Sequence, residues 1–188
     1  DNCPSAANYD QADADGDGQG DACSTTPAGE ICETDESQYE RIDPNLFIVL
    51  DRSGSMCDLI DDDDPDGFCP MPGEIPPDSK WRAATNALDA VASQLAGEVN
   101  FGFSYYSDPE ASDTCSSQRS LDMGRHPVAT IQQAYTDLVP GSRTPTATAL
   151  KDVREGSWYE LPDDNKSSVR PKAVVLLTDG ITTDDCDG

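Results

Sequence analysis

The chain has 188 residues and carries 37 acidic against 12 basic side chains, a formal net charge of −25 at neutral pH. That excess repels nucleic-acid phosphates and anionic lipid, so no nucleic-acid partner is expected and cations or cationic surfaces are favoured. The length suits one sizeable core with a small appendage, and no apolar run approaches the ~20 residues of a membrane span, so no direct membrane insertion is expected. Starting at Asp1 without an initiator Met, the chain reads as a soluble piece of something processed or truncated.

Residues 1–23 hold almost no large apolar side chain, and Asp and Gly alternate from Asp13 to Asp21. This segment cannot build a core of its own. Residues 24–43 are polar, with Pro27 and Gly29, and read as a linker that Cys32 can pin. The body is expected to span 44–188. Leu46 to Leu50 is a continuous branched apolar run, the signature of a strand buried on both faces, and it ends at Asp51. An acidic insertion, Asp61 to Asp66, lies between Cys57 and Cys69 and is read as a solvated, disulfide-tied loop, the alternative being a further calcium site on Asp61 to Asp64 with Asp66-Gly67.

Asp78 is the expected N-cap of a helix whose apolar positions Trp81, Ala84, Leu88, Val91 and Leu95 step by three and four, with Gly97 closing it. Val99, Phe101, Phe103 and Tyr105 alternate at period two, which gives a second strand and a β-α-β unit with parallel pairing. A short edge strand is expected near 119–124. A second helix is marked by Val128, Ile131, Tyr135 and Leu138, and a third runs from Thr146 to about Glu155. Ala173 to Leu177 repeats the buried-strand signature and leads to Asp179. Strands alternating with helices predict an α/β fold: a doubly wound, mostly parallel open sheet with ligand sites at the carboxyl ends of its strands.

Seven cysteines, at positions 3, 23, 32, 57, 69, 115 and 186, are too scattered for a zinc ribbon and read as disulfides, which places the protein in an oxidising, extracellular setting. The odd count leaves one thiol free or paired outside the chain. Proximity of loops suggests Cys57 with Cys69 and Cys115 with Cys186. His126 is read as a surface residue, and Trp81 and Trp158 as core or rim packing.

Asp13, Asp15 and Asp17 occupy positions 1, 3 and 5 of a loop, Gly18 position 6, the Gln19 carbonyl position 7 and Asp21 position 9. This is the ligand order of an EF-hand-type calcium loop, without the Glu at position 12. The stretch from Asp1-Asn2-Cys3-Pro4 through Asn8, Gln11 and the Asp array to Cys23 resembles a thrombospondin type 3 repeat, a small irregular unit in which calcium and disulfides replace a core. The alternative is a solvated acidic linker, against which the Gly and Cys spacing counts.

A second set of residues lies on three loops: Asp51-x-Ser53-x-Ser55 after the first strand, Thr144-Pro145-Thr146 before the third helix, and Asp179-Gly180 after the last strand. In this order on an α/β pattern they resemble the von Willebrand factor type A domain and its metal-ion-dependent adhesion site (MIDAS). The resemblance implies that Ser53, Ser55 and Thr144 coordinate Mg2+ or another divalent cation through hydroxyls. Asp51 and Asp179 would hold coordinating waters, and a partner's carboxylate would take the open position. It also implies that two further strands would follow Asp179, so the domain is expected to be C-terminally incomplete. Helix capping and turn formation are the alternative uses of these residues.

The function expected from these readings is an extracellular, metal-dependent adhesion or ligand-binding module on a calcium-stiffened stalk, its partner a protein or matrix ligand presenting a carboxylate. A purely structural calcium-binding segment is the alternative. A metal-dependent hydrolase using Asp51 and Asp179 is disfavoured, because the sequence offers one poorly placed His, no G-x-S-x-G elbow and no Cys/His pair.

Overall fold

The computed structural model describes residues 1–24, 41–61, 75–107, 115–141 and 143–180. The chain divides into two compact units, Asp1–Arg41 and Ile42–Gly188. Most of the linker, Cys32, the insertion beyond Asp61, Cys69 and Cys186 lie outside the described residues. Within the first unit, the described residues contain neither helix nor strand, as expected where apolar side chains are missing.

The second unit is built on a four-stranded sheet in the order β3-β2-β1-β4. The strands are β1 (Asn45–Asp51), β2 (Asn100–Tyr106), β3 (Ser117–Gly124) and β4 (Lys172–Leu177). β1 pairs in parallel with β2 and with β4, while β3 runs antiparallel to β2. Helices α1 (Lys80–Leu95), α2 (Val128–Thr136) and α3 (Thr146–Glu155) complete the layers. Because successive strand residues point to opposite faces, the apolar run of β1 feeds two cores at once. Ile48 and Leu50 pack with Phe101, Phe103, Trp81, Leu88, Ile131 and Tyr135, beneath α1 and α2. Phe47 and Val49 pack on the other face with Tyr106, Met123, Ala149 and Val153, beneath α3. Helices therefore cover both faces, the doubly wound α/β arrangement.

Three local details differ from the sequence reading. The N-cap of α1 is Ser79 rather than Asp78: the buried Ser79 hydroxyl accepts the Arg82 N–H at 3.2 Å. Asp78 is exposed and engages through its backbone carbonyl, which accepts the Ile60 N–H at 3.3 Å. Second, α2 ends at Thr136, so Leu138 packs against the core from beyond the helix. Third, β4 is an edge strand among the described residues and not a strand buried on both faces. Val174 and Val175 remain 43% and 38% exposed. A branched apolar run specifies a strand but does not say what covers it.

Gly102 fixes the spacing between β2 and the α3-side core. A Cβ at this position would stand 2.5 Å from Phe47 Cδ2 and 3.1 Å from Met123 Cε. Phe47 is fully buried and packs against Trp158, so it has little room to retreat. Gly102→Ala is expected to destabilise the domain by about 1–3 kcal/mol, the usual cost of overpacking a filled core. Urea unfolding checks this, and an unchanged midpoint would contradict the packing described.

Candidate functional site

β1 and β4 run in parallel, so their carboxyl ends lie at one rim of the sheet, and both lead directly into acidic residues. At the first end, Asp51 is completely buried. Its Oδ1 accepts the Ser53 N–H at 2.7 Å and its Oδ2 accepts the Thr178 hydroxyl at 2.7 Å. Thr178 also accepts the Gly180 N–H at 3.1 Å, so one threonine joins the two strand ends and fixes the carboxylate between them. The chain then winds into a 3-10 turn, Gly54–Cys57, in which Met56 N–H bonds the Ser53 carbonyl. That turn brings the Ser53 and Ser55 hydroxyl oxygens to 3.1 Å from each other.

At the second end, the Asp179 side chain is only 4% exposed, and its Oδ2 accepts from the Lys80 ammonium at 3.1 Å. Its Oδ1 is buried without a hydrogen-bond partner among the described residues. Lys80 also stands 3.7 Å from Asp58 Oδ2. A cleft of about 480 Å3 opens here, lined in part by Met56, Ile60, Ala84 and Leu177 together with Lys80 and Asp179.

Thr144 is buried on the segment that enters α3. This segment is tied to the Asp51 loop by Arg52, whose carbonyl accepts the Gly141 N–H at 2.8 Å and whose Nε donates to the Val139 carbonyl at 2.6 Å. The Arg52 guanidinium also lies 5.3 Å from the centre of the Tyr105 ring. Beneath these loops the Tyr106 hydroxyl meets Thr146 Oγ1 at 3.1 Å. Burial, and then the charge of Asp51, push the Tyr106 phenol far above its usual pKa, so it remains neutral and available for hydrogen bonding.

In the first unit the Asp array is folded into a ring of oxygens. One oxygen each from Asp13, Asp15 and Asp17 lies within 4.8 Å of the others. Asp13 accepts the N–H groups of Gly16 and Gly18 at 2.9 and 3.0 Å, and Asp17 accepts that of Gln19 at 2.7 Å. Gly16 and Gly18 have φ of 72° and 85°, left-handed values that favour glycine. Asp21 closes the loop by accepting the Ala14 N–H at 2.9 Å, and a Cys3–Cys23 disulfide joins its outer ends.

No protein-family model and no curated protein matches this sequence. Among solved structures, the chain is similar to the vWF domain of the type V pili tip protein Mfa5 from Porphyromonas gingivalis. The TM-score is 0.51 and the identity 17%, over 77% of this chain and 40% of that one. The second unit has the von Willebrand factor type A fold. Two further likenesses have lower TM-scores: pilus adhesin SpaC from Lactobacillus rhamnosus GG (0.49, 20% identity, 77% of this chain and 16% of that one) and the SpRpn10 VWA domain (0.48, 12%, 72% and 59%). The chain thus spans well under half of the Mfa5 chain that it matches.

On this A-type sheet, Asp51, Ser53 and Ser55 are joined by direct hydrogen bonds, and Thr178 brings the Asp179 loop to the same carboxylate. Thr144 lies on a neighbouring loop anchored through Arg52. The donor set is all oxygen, part carboxylate and part hydroxyl, which fits a hard divalent cation. The orphaned Asp179 Oδ1 fits it too. Sequence reasoning missed Thr178, Arg52, Tyr106 and Lys80. Thr178 had a local signal, being next to Asp179, whereas the other three act through partners distant in the chain. His126 is half-buried, with Nε2 2.9 Å from the Asp122 carbonyl. Trp81 lies in the core and Trp158 packs on Phe47. Cys57 and Cys115 are both disulfide-bonded, but the pairings expected with Cys69 and Cys186 fall outside the described residues.

Proposed function

We propose that the A-type unit is a metal-dependent binding module that recognises a carboxylate on a protein or matrix ligand, and that the N-terminal unit is a calcium-braced spacer of thrombospondin type 3 kind. The observation that carries this reading is the paired Ser53 and Ser55 hydroxyls, 3.1 Å apart, beside a buried Asp51 that two hydrogen bonds hold in place. Ser53, Ser55 and Thr144 would hold Mg2+ or another divalent cation directly, with Asp51 and Asp179 fixing its waters. A cation held mostly by neutral hydroxyls keeps much of its charge and offers a position to an outside carboxylate. Asp13, Asp15, Asp17, the Gln19 carbonyl and Asp21 would hold Ca2+.

An extracellular location is supported by the Cys3–Cys23 disulfide and by the bonded state of Cys57 and Cys115. A hydrolytic role is not favoured. The single histidine follows β3 near Gly124, which pairs with Phe101 at the start of β2. Asp51 pairs with Tyr106 at the far end of that strand, so His126 follows β3 at the opposite end of the strands from Asp51.

The test exploits the net charge of −25, which should keep the protein off anionic surfaces. On carboxylate-coated beads in Mg2+, retention is expected, with release by EDTA and no retention of Ser53→Ala. Retention that survives EDTA, or that Ser53→Ala shares, would contradict carboxylate capture and leave both metal sites with a structural role alone.

A further inference from the structure

We infer that Lys80 is a built-in counter-cation of the metal site, competing with the divalent ion for Asp179 and thereby setting how tightly that ion is held. The inference rests on the cation site proposed above. Asp179 is a nearly buried carboxylate, 4% exposed, and a charge so placed is costly without a partner. Among the described residues, the opposite charge is supplied by Lys80, whose ammonium takes Oδ2 at 3.1 Å while Oδ1 keeps no partner. Lys80 is the first residue of α1, and its neighbour Ser79 is fixed by the cap, so the base of the side chain is anchored. The ammonium also stands 3.7 Å from Asp58, on the residue that follows the turn bearing Ser55. At 30% exposure it is partly withdrawn from solvent, which strengthens its field at the site.

Two consequences follow. Without metal, Lys80 neutralises Asp179, so the empty domain keeps its rim ordered. With metal, two cations draw on one carboxylate, and their repulsion weakens metal binding. At the effective dielectric near 20 that applies to partly buried sites, a +1 and a +2 charge several ångströms apart repel by roughly a thousandfold or more in affinity, and solvent screening of the 30% exposed ammonium still leaves about a tenfold effect or larger.

The test is calorimetric titration of the whole chain with Mn2+, comparing wild type, Lys80→Met, Lys80→Gln, Lys80→Arg and Ser53→Ala. The Ser53→Ala trace supplies the part due to the N-terminal loop. Lys80→Met and Lys80→Gln are expected to bind the body's ion at least tenfold more tightly than wild type, and Lys80→Arg, which keeps the charge, within threefold. In EDTA the two neutral variants should melt several degrees below wild type, and Mg2+ should close that gap. If wild type binds, Ser53→Ala does not, and the neutral variants stay within threefold of wild type, Lys80 merely pins α1 and the inference fails while the cation site stands. If no variant differs from Ser53→Ala, both the inference and the site fail together.

Discussion

Ser53→Ala is expected to weaken divalent-cation binding by the A-type unit at least 100-fold, about 2.7 kcal/mol, while leaving the unit folded. Substitutions that only disturb the support of a metal ligand cost 10–100-fold in affinity, so removal of a hydroxyl proposed to bind the ion directly should exceed that. The stability cost is smaller. The Ser53 hydroxyl bonds Ser55 Oγ at 3.1 Å, one neutral hydrogen bond, worth about 1 kcal/mol. The Ser53 N–H that holds Asp51 belongs to the backbone and survives the change. Asp51→Ala is a less selective variant. It strands the buried Ser53 N–H and the half-buried Thr178 hydroxyl, so lost binding would be mixed with an added destabilisation of about 1–3 kcal/mol. Titration with Mg2+ beside a thermal melt separates the two effects. Unaltered affinity in Ser53→Ala would remove the serine pair from the site.

Calcium removal is expected to release the N-terminal unit without disturbing the A-type unit. Oxygens of Asp13, Asp15 and Asp17 share a space of 4.8 Å, and without a cation their charges repel. Little opposes that repulsion. Cys3 and Gly20 are the buried residues of this unit among those described, and Tyr9, its one large ring there, is fully exposed. What remains is the Cys3–Cys23 crosslink, with a sequence separation of 20, worth about 3 kcal/mol in the chain-entropy picture. Limited proteolysis in EDTA should therefore cut between residues 4 and 22 at least tenfold faster than in millimolar Ca2+. The two ends should stay joined until a reductant is added. An unchanged cleavage rate would show that the Asp ring is held by its own hydrogen bonds and not by an ion.

Much of the fold was legible because periodicity records burial directly. Phe101, Phe103 and Tyr105 alternate in sequence and share one core in the structure. α3 spans Thr146–Glu155, where a Pro before it and a Gly after it mark its limits. The choice of Ser79 over Asp78 as cap was not legible, since both residue types serve and which one turns inward is decided by packing. Nor was the exposure of β4, because apolar composition does not reveal a missing neighbour. At the site, the spacing of Asp51, Ser53 and Ser55 is local and therefore readable. The link from Thr178 to Asp51 joins residues 127 positions apart, and that from Lys80 to Asp179 joins residues 99 apart. Neither leaves a mark in any short window of sequence. Thr144 was identified from its resemblance to a known pattern, and its anchor, Arg52, carries no signal beyond being next to Asp51.

The most direct measurement is a crystal structure of the chain grown with Mn2+, with anomalous differences collected at the manganese edge. The expected result is one strong peak at the carboxyl rim of the sheet, about 2.0–2.3 Å from Ser53 Oγ and Ser55 Oγ, with Asp51 outside its direct ligands. Manganese bound in the N-terminal ring but absent from the rim, or a rim ion held without either serine hydroxyl, would contradict the metal-dependent reading of the A-type unit.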